Sequence, residues 1–218
     1  MKDDQAKAIW TIEADAPLQS VLDQPDAPPL LRQTLTGALS WQTRNETPVR
    51  KALKSPRIAL QWVAALLALG ATVTVEGEAG PEEVPLAVGA GSPRPHALHV
   101  PRAEGTRWGA AHVARTPADE PIVAAVAVVE MTGGVVQQAR VALTGVWPEA
   151  VRLAEAPARL VGGPLDEEHI RAVAEAVEEK VAPTGDFRGS EEYRRAMAGV
   201  LTRRALEQCL HQEEARDE

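Results

Sequence analysis

Apolar residues recur along this chain in two rhythms, and the change from one to the other marks its elements. Ile9 to Ile12 has the short alternation of a strand, and Pro17 to Val21 follows with proline in the first turn of a helix. A proline-rich stretch, Pro25 to Pro29, leads into a second helix over Leu30 to Leu39. From Ile58 to Leu69 the residues are apolar almost all round, so that helix is buried, and Gly70 is placed to end it. Ala71 to Glu76 then alternates Val73 and Val75 with Thr72 and Thr74, which is a strand. A turn at Glu78 to Pro81 leads to a second strand, Val84 to Val88. After a Gly/Pro-rich loop, Gly89 to Pro95, His96 to Val100 reads as a third strand.

The second half begins with strands at Ala110 to Ala114 and Ile122 to Val129. The latter is so uniformly apolar that it should lie in the middle of a sheet, covered on both faces. Met131-Thr132-Gly133-Gly134 supplies a turn, and Val135 to Leu143 returns as the partner strand. Asp166 caps a helix that carries Ile170, Val173, Ala174 and Val177 on one face. Ser190 caps another, with Glu191 and Glu192 near its positive end and a buried stripe of Tyr193, Met197, Val200, Leu201, Ala205 and Cys209. The tail from Gln212 to Glu218 is charged and frayed. No repeat and no membrane-spanning run is present. The pattern is α+β, in two units: residues 1–105, helices with a small antiparallel sheet, and residues 106–218, an antiparallel sheet packed on helices.

Charge narrows the function. A formal net charge of −8 argues against a general nucleic-acid binder, which needs a basic surface to neutralise phosphates. The first residues, Met1 to Ala8, are polar and give no secretory or membrane signal, so a cytoplasmic location is expected. The single cysteine, Cys209, makes no internal disulfide and excludes cysteine-ligated zinc or iron–sulfur clusters built from this chain alone. Five scattered tryptophans read as packing anchors.

One stretch departs from the acidic balance: Arg44, Arg50, Lys51, Lys54 and Arg57 face a single acid, Glu46, between Gln42 and Arg57. It is either a solvated face or a site for an anion or an acidic partner. His96, His99 and His112 lie in strand and loop sequence without a supporting carboxylate, so no metal site is expected. The acid pairs Glu82-Glu83 and Glu167-Glu168 diverge instead of sharing a proton. No nucleophile elbow, Walker loop or dinucleotide fingerprint occurs, and no catalytic residue is assigned.

The run Asp186-Phe187-Arg188-Gly189-Ser190-Glu191-Glu192-Tyr193-Arg194-Arg195, continuing through Val200-Leu201-Thr202-Arg203-Arg204-Ala205-Leu206, resembles the closing signature of a known family. That family is the flavin (medium) subunits of molybdenum hydroxylases of the carbon monoxide dehydrogenase and xanthine dehydrogenase type. Arg115-x-x-x-Asp119, Ala139-Arg140-Val141-Ala142-Leu143-x-Gly145-Val146 and Val151-Arg152 resemble the same C-terminal domain in the same order. Arg44-Asn45-x-Thr47 and Leu67-Ala68-Leu69-Gly70-Ala71 resemble landmarks of the second FAD-binding subdomain. The resemblance thus implies a degenerate second FAD-binding subdomain over 1–105 and a carbon monoxide dehydrogenase flavoprotein C-terminal-like domain over 106–218. Asp186, Arg188, Ser190, Tyr193 and Arg194 suit the pinning of a loop and the capping of a helix.

Two departures limit what the resemblance carries. Where the family has Thr-Ile-Gly-Gly-Asn against the flavin diphosphate, this sequence has Thr47-Pro48-Val49-Arg50-Lys51. Proline has no N–H to give, and Val49 and Arg50 carry side chains where glycine admits the ligand. The family's first flavin subdomain, with its Ala-Gly-Gly-Thr-Asp loop, would precede Ile9 and is not supplied here. Asn45 and Thr47 are then vestiges of a cofactor site, and no cofactor is expected for this chain alone. Three readings follow: a noncatalytic structural, assembly or interaction homologue that docks on molybdenum-hydroxylase subunits or on itself; an FAD-binding oxidoreductase component completed by another chain; or a small anion-binding or regulatory module.

Overall fold

The structure is a computed structural model that describes residues 8–37, 39–89, 94–116 and 119–214. Its first sheet is built from β1 (Ala8–Glu13), β2 (Thr72–Gly77), β3 (Gly80–Pro85) and β4 (Pro95–Arg102), in the order β1-β4-β2-β3 with every pair antiparallel. Between β1 and β2 run α1 (Gln19–Asp23), α2 (Pro29–Thr36), α3 (Trp41–Glu46), α4 (Val49–Lys54) and α5 (Leu60–Leu69). The second sheet takes β5 (Thr106–Val113), β6 (Val123–Thr132), β7 (Val135–Thr144) and β8 (Val151–Leu153) in sequential order, again antiparallel. Two helices close the described chain, α6 (Glu167–Lys180) and α7 (Glu191–Glu214).

Several elements differ from the sequence expectation: α3 and α4 form within the basic stretch, where no element was expected, and β5 starts at Thr106, ahead of Ala110. The second strand is β3, Gly80–Pro85, instead of Val84 to Val88. The tight turn pairs Gly77 with Gly80 and so locks Val73 opposite Val84, and Leu86 leaves the sheet to give its N–H to the Ala71 carbonyl. The short β8 was legible only as the Val151-Arg152 landmark. On α7 the buried stripe is rotated: Arg194, Ala198, Leu201, Ala205 and Cys209 are buried, whereas Tyr193 is 38% exposed and Met197 and Val200 are half-buried. Arg194 sets this face, because its guanidinium reaches carbonyls of the sheet. The part of the Gly89 to Pro95 loop at 90–93 and the end of the tail at 215–218 lie outside the described residues.

Helix α5 is buried along its length except at Gln61 and Leu67, as an all-round apolar helix must be. Gly70 ends it at φ 72°, donating to the carbonyls of Leu66 and Leu67. Strand β6 alternates between two cores. Val126 and Val128 face α5 and the first unit, while Val123, Ala125, Ala127 and Val129 face α6 and α7. Arg140 of β7 reaches across to the Ala68 carbonyl at the negative end of α5, paired with Glu130 at 3.7 Å. Its burial pushes the guanidinium pKa down, against the pull of Glu130.

The free edge of β5 is covered by α7. Gln208 accepts from the Ala110 N–H at 2.9 Å and donates to its carbonyl at 3.2 Å; Gln212, one turn on, does the same for Trp108 at 3.2 and 2.8 Å. Gly109 between them allows this approach, since a Cβ there would lie 2.0 Å from the Ala205 carbonyl oxygen.

Candidate functional site

Two regions carry the residues singled out in the sequence. The first is the loop before α7. Asp186 and Gly189 exchange backbone hydrogen bonds at 3.0 and 3.2 Å, making a tight turn. The Asp186 carboxylate accepts from the N–H groups of Arg188 and Gly189 and, at 2.7 Å, from the Arg194 guanidinium. Arg194 is buried, 3% exposed, and also donates to the carbonyls of Ile122 (2.8 Å), Gly145 (3.0 Å) and Gly189 (3.3 Å). The Arg194 hydrogen bond, above all, holds the Asp186 carboxyl well below the usual carboxylate range. Ser190 accepts from the Tyr193 N–H at 3.2 Å, and its hydroxyl, after the amide of Glu192 itself, lowers the Glu192 pKa.

A charged relay runs from this loop to the first unit. Arg188 lies 3.3 Å from Asp186 and 3.7 Å from Glu120, and Glu120 lies 3.5 Å from Arg57. These groups line a cavity of about 310 Å³ with Trp147 and Gly145. The charged groups Arg57, Glu120, Asp186, Arg188 and Arg194 in it are engaged with one another or with backbone carbonyls, and among the described residues no nucleophile stands beside a base. Between Asp186 and Arg188 stands Phe187, 88% exposed at the tip of a turn whose base is fixed.

The second region is the segment from Asn45 to Arg57. Asn45 gives its side-chain N–H to the Trp41 carbonyl within α3, and Thr47 is buried, its carbonyl accepting from the Leu18 N–H. Pro48 starts α4. The N–H groups a phosphate-binding loop would present are engaged: Val49 donates to Ala16, Arg50 to Ala14 and Lys51 to Pro48, at 2.8–2.9 Å. The Val49 side chain is wholly buried in the first core. The residues present therefore do not fit a diphosphate cradle, which needs free amides and no side chain between them and the ligand.

The basic stretch does not form one patch. Arg44 is turned inward to Gln19 (2.9 Å) and the Leu39 carbonyl, and Arg57 joins the Glu120 relay. Arg50, Lys51 and Lys54 line a cavity of about 510 Å³ beside Leu53, Val73 and Leu86, with Arg50 also paired to Asp15. Arg94, just before β4, lines it too. Arg94 gave no sequence signal, because it sits between two prolines far from the basic run; Glu120, next to Asp119 in a loop, was equally silent because its partners Arg57 and Arg188 are distant in sequence.

The histidines are dispersed. His99 on β4 sits between Thr11 (3.0 Å) and Thr74 (2.7 Å), and His96 lies 3.6 Å from Glu76. Among the described residues no group of three His, Cys, Asp or Glu side chains could hold a metal ion, and no helix is long and apolar enough to cross a membrane.

The antiparallel sheet, the Asp186 turn and the Arg194 clamp define a recognisable domain. Residues 108–209 match the family described as the CO dehydrogenase flavoprotein C-terminal domain. Residues 108–209 are thus homologous to the C-terminal part of carbon monoxide dehydrogenase medium chains. The chain is 35% identical over 104 residues to the carbon monoxide dehydrogenase medium chain of Hydrogenophaga pseudoflava, which is 48% of this chain and 36% of that one. It is 25% identical over 111 residues to the glyceraldehyde dehydrogenase medium chain of Sulfolobus acidocaldarius, 51% of this chain and 40% of that one. The aligned sequence thus spans well under half the length of these relatives. In three dimensions the likeness is wider. A carbon monoxide dehydrogenase structure from H. pseudoflava superposes with a TM-score of 0.82 at 26% identity, covering 95% of this chain and 77% of that one. Quinoline 2-oxidoreductase from Pseudomonas putida 86 shares the fold, with a TM-score of 0.76 at 24% identity over 95% of this chain and 77% of that one.

Proposed function

We propose that this chain is a medium-subunit homologue that does not hold FAD through its second subdomain, and that it serves as a noncatalytic assembly or interaction subunit of a molybdenum-hydroxylase type complex. One observation carries the reading. At the position of the family's glycine loop the chain makes α4, with the amides of Val49, Arg50 and Lys51 bonded internally and Val49 in the core. A flavin diphosphate would have to break those bonds and displace that side chain. The relatives are named as medium chains, one kind of chain among others in an enzyme, and the exposed Phe187 on a rigid turn offers an anchor for a partner.

The visible spectrum of the purified chain, incubated with excess FAD and passed through gel filtration, tests this. A protein peak without flavin absorbance is the expected result, and flavin co-eluting in stoichiometric amount overturns it. A second reading, an FAD-binding component completed by another polypeptide, is favoured by the 0.82 TM-score to a carbon monoxide dehydrogenase structure. It predicts flavin retention when that polypeptide is co-purified.

A further inference from the structure

We propose that the cavity between α4 and the first sheet binds a small phosphate monoester with an apolar substituent. The cavity measures about 510 Å³, within the range of roughly 300–1,000 Å³ common to small-molecule sites. Its cations come from two separate places in the chain: Arg50, Lys51 and Lys54 from α4, and Arg94 from the residue just before β4. No carboxylate lines it, and residues 90–93 beside Arg94 in the sequence contain no acid. Asp15 neutralises Arg50 alone. Among the described residues Lys51, Lys54 and Arg94 have no acidic partner within ion-pair distance.

Lys51, Lys54 and Arg94 are exposed, and their mutual repulsion, modest in water, favours a counter-charge between them. Lys51 and Lys54 are neighbours on one helical face, and like charges at that spacing repel weakly. Their position in the last turn of α4 eases that repulsion through the helix dipole. The dipole does not account for Arg94, which the chain just before β4 brings to the same space. A bound dianion relieves all of it by charge-assisted hydrogen bonds. The floor argues for the organic part. Leu53, Val73 and Leu86 are buried yet border the cavity, and Pro48 and Pro95 flank it, so a ligand of charge alone would leave apolar surface facing water. Backbone amides take no part, since those of α4's first turn are engaged. The site is therefore a side-chain site of different construction from a glycine loop, and the inference rests on the preceding reading only in that flavin does not occupy this space.

Calorimetric titration of the full chain at low salt, with phenyl phosphate and inorganic phosphate as probes, tests the proposal. Phenyl phosphate should bind, and more tightly than inorganic phosphate. Lys51→Gln with Lys54→Gln should weaken it by roughly tenfold or more. A control that removes two exposed cations elsewhere, Arg171→Gln with Arg204→Gln, should leave binding within about twofold. Melting curves of both variants, expected to match the parent, separate lost binding from lost fold. Absence of phenyl phosphate binding, or equal weakening by the control, overturns the site; equal affinity for the two probes overturns its organic half. FAD enters as a competitor. Displacement of phenyl phosphate by FAD would leave the cationic site standing and overturn the non-flavin reading, whereas failure to bind phenyl phosphate overturns the site and leaves that reading intact.

Discussion

The Arg194 guanidinium lies 2.7 Å from the Asp186 carboxylate, and the same group holds the carbonyls of Ile122 and Gly145 on two adjoining sheet segments. One side chain thus fixes a turn, the start of α7 and the mouth of the second sheet. Arg194→Met keeps the bulk and removes every donor. It should destabilise the protein by about 1–3 kcal/mol for each carbonyl left without a partner. Urea unfolding at neutral pH measures the loss, and a change within error would mean that water replaces the guanidinium freely.

Acidity tests the other partner. The folded Asp186 carboxyl titrates below its ordinary value of 3.8, so the unfolded chain takes up that proton first. The contribution of Asp186 is present above about pH 4 and is lost as the pH falls toward the folded pKa. Asp186→Asn should therefore cost stability at pH 7, and the gap between variant and parent should narrow steadily on acidification below about pH 4. A gap that stays constant with pH would rule out the carboxylate charge as its source.

Val49 decides whether residue 49 belongs to a core or to a cradle. It is wholly buried among Leu18, Leu53 and their neighbours in the first cluster, so Val49→Ala should lower stability by about 1–3 kcal/mol. A neutral result in thermal melting would place the side chain at an open, ligand-facing position instead.

The glutamine pair on α7 guards a strand edge. Gln208→Ala with Gln212→Ala removes four hydrogen bonds to the backbone of Trp108 and Ala110 and frees that edge for pairing with other chains. Amide hydrogen exchange should speed up at Trp108 and Ala110 in particular, and light scattering on heating should begin at a lower temperature. Unchanged exchange at both amides would show that the edge is protected by something else.

Cys209 is buried against β6, and burial pushes its thiol up to about 12. A disulfide reagent at pH 8 should leave it unmodified in the folded protein and titrate one thiol per chain in denaturant. Rapid reaction in the native state would contradict its place in the core.

Much of this architecture could be read before any coordinates. The all-round apolar run of α5, the uniformly apolar β6 and the caps at Asp166 and Ser190 each depend on local periodicity or a single side chain, and such signals survive in sequence. The rotated stripe of α7 did not, because a hydrophobicity pattern ranks Tyr193 above Arg194 as the core residue, whereas Arg194 is the buried one. Only the carbonyls of Ile122 and Gly145, more than forty-five positions away, make arginine the buried one. The basic run was visible but its division was not. Arg44, Arg57 and the Arg50 to Lys54 group point to three places because helix phase and distant partners separate them. Arg94, which completes the last group, comes from forty residues further along the chain.

The alternation of β6 between two cores has a practical consequence. Val126, Val128, Ala142 and Val151 belong to the second sheet yet pack with α5 and the first unit. Cutting the chain near residue 105 would bare this row of aliphatic side chains on one fragment and the flank of α5 on the other. Neither fragment would then bury its own apolar surface, so denaturation should proceed as a single cooperative event, with the two tryptophans Trp62 and Trp108 on either side of the seam reporting the same midpoint.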